Sequence, residues 1–438
     1  MPDSIKEILE YVKTNDIKFI RLAFCDLFGT EKQISIMPDE LERAFENGIS
    51  FDASAIKGYG DISKSDLFLF PDASTLSLLP WRPQQGRVAK FLCDIRNPNG
   101  SEYMFDTRNL LKNALRRCRE MGYLCLVGAE CEFYLFQTDE NGEPTTVTQD
   151  QGGYLDIAPL DKGENVRREI CLTLEDMGIK PETSHHEQGP GQNEIDFKYS
   201  DALTAADNFL TYKSVIKAIA SKNGLHASFM PKPIPDKSGS GLHINLSLSK
   251  DGLNIFGNEY GEYDSIVNSF IEGILEKTSE ISAFLNPNIN SYDRLGSFEA
   301  PKYVSWSHQN RSQLIRIPAE TGEKTRMELR SPDPTVNPYL AFSLILHAGL
   351  DGIEANYKLR EPLDLNLYTA KEGLVEKLTK LPEDMMCALK QMRNSNFVER
   401  VIGRELLEKY NLMKEKEYQD FLSTDKNDFY FERYFKVL

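Results

Sequence analysis

The stretch AECEFYLF, residues 129–136, puts Glu130 and Glu132 on one side of an extended chain and Cys131, Phe133 and Leu135 on the other. Alternate residues of a strand share a face, so this segment reads as a sheet strand with an apolar back and an acidic front. Three further segments repeat the design. In GLHINLSLS (241–249), His243, Asn245 and Ser247 oppose Leu242, Ile244, Leu246 and Leu248. In TRMELRS (325–331), Arg326, Glu328 and Arg330 oppose Met327 and Leu329, and HHEQGPGQNEIDF (185–197) sets Glu187 and Glu194 on either side of a Gly-Pro-Gly turn. One sheet built from these four segments gathers five glutamates, one histidine and two arginines on its polar face.

A single Glu-x-Glu is ordinarily a solvated strand face, and an exposed face usually mixes Lys and Thr with its acids. The joint occurrence is what carries information. Five converging carboxylates repel one another or take up protons, and hard divalent cations with oxygen ligands relieve that conflict. Magnesium suits such a set, and the lone imidazole leaves manganese acceptable too. The ligand count predicts about two ions. A second, cationic set consists of Arg294, Arg311, Arg316, Arg326 and Arg330, whose forked guanidinium groups suit carboxylate and phosphate. Between Arg294 and Arg311 the Gly/Pro-bounded segment GSFEAP carries Glu299 and reads as a flap. No G-x-x-x-x-G-K-[ST] occurs, so a P-loop is excluded as phosphate cradle. SGSGLH (238–243) by itself means only a tight turn.

The rest of the chain frames these segments. Its 438 residues suggest two or three domains. The net charge of −16 disfavours nucleic acid and anionic membranes as partners. No apolar run is long enough to span a bilayer, and the most apolar stretch, 339–350, reads as a core helix. The N-terminus has neither a basic leader nor an apolar core segment, so no export signal is expected. Seven cysteines without paired spacing argue against disulfides or zinc and for a reducing cytoplasm, each thiol serving as core packing. An amphipathic first helix, strands over IKFIRLAFCDLFG, KQISIMP and RVAKFLCDI, and the turn NPNGS delimit a small α+β domain of residues 1–100. A second domain, 106–438, opens with a charged helix from Asp106 to Gly122, and Asn337-Pro338 marks a later helix start.

The motifs FDASAIKGYG, AECEFYLF, HHEQGPGQNEIDF, SGLHINLSL, GSFEAP, NRSQLIRIP and RMELRSPDPTVNPYLAF stand in this order along the chain. Together they resemble a prokaryotic type I glutamine synthetase over essentially the full length. The resemblance implies an α+β fold with a small N-terminal β-grasp-like domain and a large catalytic domain. The latter carries a curved antiparallel sheet of guanido-kinase-like form. It also implies homo-oligomeric rings of six subunits, usually stacked as a dodecamer. The activity implied is ATP-dependent ligation of ammonium to L-glutamate through a γ-glutamyl phosphate. Carried over residue by residue, one metal falls on Glu132, Glu187 and Glu194 and the other on Glu130, His243 and Glu328. Glutamate falls on Gly239, Arg294 and Arg330, with Glu299 and Arg311 beside the reacting group. Arg311, Arg316 and Arg326 face the ATP phosphates, and Glu182 and Ser247 contact the nucleotide. Asp52 is the carboxylate that binds ammonium and takes its proton, reaching into a neighbouring subunit's site.

Some positions depart from the family pattern. Ala55 and Ser238 stand where serine and asparagine are frequent, and Asn245 replaces a histidine of some members. Ala55 and Ser238 motivate an alternative in which another amine, such as a polyamine or methylamine, is the acceptor. Tyr368 aligns with a tyrosine that some members adenylylate, but the Leu-Pro-Pro-Glu-Glu that follows it there is missing, so that control is not expected. Asp61 stands where one subgroup has a regulatory arginine, and Tyr59 retains an aromatic group expected at an intersubunit contact.

Overall fold

The computed structural model describes residues 5–60, 62–82, 85–257 and 264–438; Asp61 lies outside the described residues. The N-terminal part is a mixed six-stranded sheet. Strand Ile17–Cys25 sits between Glu31–Ile36, antiparallel, and Arg87–Arg96, parallel. Asp66–Pro71 and Ile49–Asp52 continue the sheet, and Ser77–Leu78 pairs with Arg87–Arg96. The expected first helix forms at Ile5–Thr14, burying Ile8 and Val12 but leaving Ile5 exposed. Tyr59 is buried in this domain of its own chain, donating to the Cys25 carbonyl at 2.8 Å. The expected intersubunit exposure is therefore not found.

Asp106 caps the next helix, Thr107–Glu120, by accepting from the Arg108 and Asn109 amides. Arg108, nearly fully buried, then ties the two sheets together. Its guanidinium donates to Asp72 and Asp94 on the small-sheet side and to Asp207 on helix Ala202–Lys222. A buried charge is tolerable only with such complete pairing. Asn337 caps helix Pro338–Glu354 through its side-chain oxygen, as the Asn-Pro pair predicts. Its amide nitrogen donates to the Asp26 carbonyl and the Thr107 hydroxyl, a second tie between the parts.

The large sheet curls and has eleven strands built on one element, the fifteen-residue strand Leu124–Thr138. Gln192–Phe197 pairs with it on one side, followed by Pro181–His186; Leu242–Lys250 pairs on the other, followed by Met327–Leu329, Ile315–Ile317 and Trp306–His308. The apolar backs of these strands (Cys131, Phe133, Leu135, Ile195, Leu242, Ile244, Met327, Leu329) are buried, and Tyr212 of helix Ala202–Lys222 donates to the Cys131 carbonyl. Helix Asp264–Leu285 packs along helix Pro338–Glu354. Among the described residues no helix is long and apolar enough to cross a membrane. Five cysteines are buried and Cys171 is half-buried, but Cys387 is exposed, because it lies in the first turn of helix Met385–Arg393 on the solvent side. The expectation that every thiol is core packing fails there.

Candidate active site

Strand register brings the polar fronts together. In the antiparallel pairs Glu132 stands opposite Glu194, and Glu130 stands opposite Asp196 on one side and His243 on the other. Glu194 in turn faces His185, Asn245 faces Glu328, and Glu328 faces Arg316. Cross-strand partners share a face, so one contiguous polar surface results. It lines a cavity of about 210 Å³ bounded by Glu130, Glu132, Glu187, Glu194, His243, Arg294, Glu299, Arg311 and Arg330, with Gly239 at its edge. A second cavity of about 260 Å³ shares Glu130 and Asp196 with the first and is lined by Glu182, Ser247 and Arg326.

Within this face two donor groups form. Ligand atoms of Glu130, His243 and Glu328 lie within 4.8 Å of one another, as do those of His185, Glu187 and Glu194. In the first group Nδ1 of His243 is 3.6 Å from Glu130 and 3.4 Å from Glu328. Glu328 also accepts from Arg316 and Arg330, each at 2.6 Å. Burial works against its charge, yet Arg330, His243 and Arg316 hold its carboxyl at about 2. Glu132, expected to join Glu187 and Glu194, is not among the three of the second group, where His185 stands instead; Glu132 accepts from the Gly241 amide at 2.6 Å and Glu187 from the Gln188 amide at 2.6 Å. Burial raises all three of Glu132, Glu187 and Glu194, and neighbouring carboxylates raise them further; Glu194, facing Asp196, Glu132, Glu130 and Glu187, is displaced most. Burial and Glu130 likewise push Asp196 up to about 6. Buried oxygens that disfavour their own charge, with a few imidazole nitrogens, are the donor chemistry of a hard divalent cation. The donor chemistry fits divalent metal: the first group is the expected Glu130, His243 and Glu328, while the second contains Glu187 and Glu194 with His185 rather than Glu132.

Two residues of this face carried no expectation from the sequence. Asp196 continues the Glu194 alternation and could have been read from QNEIDF. His185 stands two residues before Glu187 and could have been read in the same way from HHE. His186 turns inward, its Nε2 2.8 Å from Asp150 and its Nδ1 2.7 Å from the Glu187 carbonyl. Burial works against a charge on this ring, while Asp150 and the Glu187 carbonyl raise its pKa above the usual imidazole value.

The arginines divide. Arg294 spends three donors on the carbonyls of Arg330, Ser331 and Pro332, bracing the chain beyond strand Met327–Leu329. Gly239 and Gly241 are required by this packing: a Cβ on Gly241 would lie 2.5 Å from an Arg294 terminal nitrogen, and one on Gly239 2.5 Å from the Pro231 carbonyl. Arg330 and Arg316 each keep a buried Nε without a partner among the described residues. Arg326 donates to Asn245 at 2.9 Å, and Asn245 donates to Glu130 at 2.9 Å, so this departure from the family pattern links Arg326 of the second cavity to the shared Glu130. Arg311 is exposed. Asp52 does not join the face. It is exposed on the small sheet, where the Ser54 hydroxyl and amide hold its carboxyl below the usual range.

Comparison with known proteins is decisive for the family. Residues 16–98 match the glutamine synthetase beta-Grasp domain, and residues 104–434 match the glutamine synthetase catalytic domain. The chain belongs to the glutamine synthetase family. It is 46% identical to the glutamine synthetase of Clostridium saccharobutylicum over 98% of each chain. With that of Methanosarcina mazei it shares 46% identity over 95% of this chain and 94% of the other. Among solved structures, the Plasmodium falciparum glutamine synthetase superposes with a TM-score of 0.86 at 26% identity over 98% of each chain. A structure described as a GmaS/ADP complex superposes with a TM-score of 0.86 at 29% identity, covering 95% of this chain and 96% of the other. The family depends on ATP and divalent metal, in line with the donor groups found here.

Proposed function

We propose that the chain joins ammonia to the side-chain carboxylate of L-glutamate, using ATP and passing through a γ-glutamyl phosphate. The observation that carries this reading is the polar face itself, where carboxylates, His243 and arginines line two adjoining cavities that share Glu130. Carboxylate and ammonia do not condense in water, so the γ-carboxylate must first acquire a leaving group. Two divalent cations, magnesium or manganese, would be held by Glu130, His243 and Glu328 and by Glu132, Glu187 and Glu194, His185 lying beside the latter; when bound they neutralise phosphate oxygens. Glu182 and Ser247 bind the nucleotide in the second cavity, and Arg311, Arg316 and Arg326 face its phosphates. The Gly239 backbone, the remaining donors of Arg294, and Arg330 orient glutamate in the first. Glu299 closes over it and keeps water from the acyl phosphate.

Asp52 binds ammonium and accepts its proton. Its exposure away from its own chain's polar face suits service to a neighbouring copy, and hence a ring of six subunits, stacked as a dodecamer. The same reading takes residues 1–100 as the β-grasp-like unit and 106–438 as the catalytic unit, working in the cytoplasm.

The test is phosphate release from ATP with magnesium and glutamate, with and without ammonium or a panel of amines, together with direct detection of glutamine. Phosphate and glutamine rising together on adding ammonium is the expected result; turnover that ignores ammonium but answers to another amine overturns the acceptor. Asp52→Ala should lower ammonium-dependent turnover by roughly 100-fold while nucleotide binding, measured by calorimetry, stays as it was.

A further inference from the structure

The segment from Gly296 to Pro301 hangs between two fixed points. On one side Arg294 is buried and braced on the 330–332 carbonyls. On the other, Lys302 and Val304 hydrogen-bond to Leu381 and Thr379. Between them Phe298 and Glu299 both have left-handed backbone, with φ of 47° and 66°. Two consecutive non-glycine residues in that region are costly and persist only where surrounding contacts impose them.

Those contacts can be named. The Glu299 carbonyl accepts from Arg330 at 3.2 Å, and Lys232 stands 4.3 Å over the Phe298 ring. The carbonyl of Ala300 accepts from the Gly296 amide at 3.2 Å within the turn and from the Tyr368 hydroxyl at 3.0 Å from outside it, where Gly296, Lys302, Leu367 and Tyr368 line a cavity of about 380 Å³. The phenol is the contact by which the 360–370 loop holds the turn from outside. The base from which Tyr368 reaches is firm. Gln313 donates to the Leu363 and Leu365 carbonyls, Ser312 accepts from the Leu367 amide, and the Trp306 indole donates to the Arg360 carbonyl. Burial pushes the Tyr368 hydroxyl up to about 12, so it remains a donor at neutral pH.

We propose that Tyr368 is a positioning residue for the reaction: its hydroxyl, held on the anchored 360–370 loop, fixes the Ala300 carbonyl and so the strained turn that aims Glu299 over the active site. The inference rests on the reading of Glu299 as the closing acid. When the turn is loose, water replaces ammonia at the acyl phosphate. It cleaves the acyl–oxygen bond and returns glutamate, phosphate and a proton, so phosphate is released without glutamine.

Tyr368→Phe removes one oxygen and keeps the ring. Two readouts decide. In the purified full chain without substrates, amide hydrogen exchange over 295–303 should be roughly 3- to 10-fold faster in the variant, the range expected for loss of one hydrogen bond, while the core helix Pro338–Glu354 exchanges as before. In turnover with ammonium, the phosphate-to-glutamine ratio should rise several-fold above that of the unaltered chain, with ATP affinity unchanged. Unchanged exchange overturns the tie whatever the activity. Faster exchange with an unchanged ratio overturns the positioning role. An unaltered chain that releases phosphate but makes no glutamine overturns the ligase reading instead, and exchange alone then decides whether the hydroxyl holds the turn.

Discussion

The two ends of the polar face solve the same electrostatic problem in opposite ways. At the Glu328 end the countercharge is built in: Arg316 and Arg330 each bond the carboxylate, His243 adjoins it, and Asn245 links Glu130 to Arg326. At the Glu194 end carboxylates face carboxylates, their hydrogen-bond donors are backbone amides and the Gln192 side chain, and no arginine or lysine ion-pairs with Glu132, Glu187 or Glu194 among the described residues. The first end is preorganised within the chain. The second is left short of positive charge, and a bound cation has most to contribute there.

The largest expected effect comes from breaking the compensated end. Glu328→Ala removes the carboxylate partner of the buried Arg330 and the half-buried Arg316, leaving Arg330 only the Glu299 carbonyl, which should cost about 3–5 kcal/mol of stability in denaturant titration. It should also lower turnover by roughly 10²–10³-fold. A variant as stable as the unaltered chain would show that the arginines find other partners and that the two ends do not differ as described.

Glu194→Gln probes the other end and should split stability from activity. Turnover falls by at least ~100-fold, since a ligand is worth no less than its outer partners. The metal-free protein, relieved of one carboxylate that burial and its acidic neighbours disfavour, becomes more stable in denaturant titration. The unaltered chain in a hundredfold excess of magnesium over its dissociation constant should gain about 2.7 kcal/mol, seen as a higher melting temperature, and the variant should lose most of that gain. Destabilisation of the metal-free variant would mean the crowded end is held by contacts that outweigh its repulsion.

Asn245→Ala is the mildest probe. It cuts the bridge between Glu130 and Arg326 and should raise the KM for ATP by roughly 2- to 10-fold without moving the metal-induced stabilisation. A change in metal response would extend the compensated group to include this residue.

The sequence and the structure agree best where the information is local. Period-two alternation reveals which face Glu130, Glu132 and His243 occupy, and Asn337-Pro338 reveals a helix start, because each depends on neighbours along the chain. The pairing of Glu132 with Glu194, and of Asn245 with Glu328, depends on strand register between distant segments, which no local pattern encodes. The role of Arg108 is illegible for the same reason: it reads only as part of a charged helix, yet it is buried among Asp72 and Asp94 of the small-sheet side and Asp207 of helix Ala202–Lys222. The strand around Glu328 is shorter than its alternation suggests, covering only Met327–Leu329, with the Arg330 amide still donating to the Leu314 carbonyl just beyond it. Tyr59 misled because an aromatic ring fits a core as well as an interface.

The long strand Leu124–Thr138 carries Glu130 and Glu132 but recruits its partners from residues 192–197, 242–250 and, through the latter, 327–329. During synthesis those two glutamates leave the ribosome long before the segment bearing Glu328 and its arginines has been made. Contacts this distant in sequence form slowly. The nascent chain must therefore carry an unfinished, acid-fronted sheet edge through much of its translation, and the acids themselves, repelling one another across any premature strand pairing, help keep that edge from joining the wrong partner.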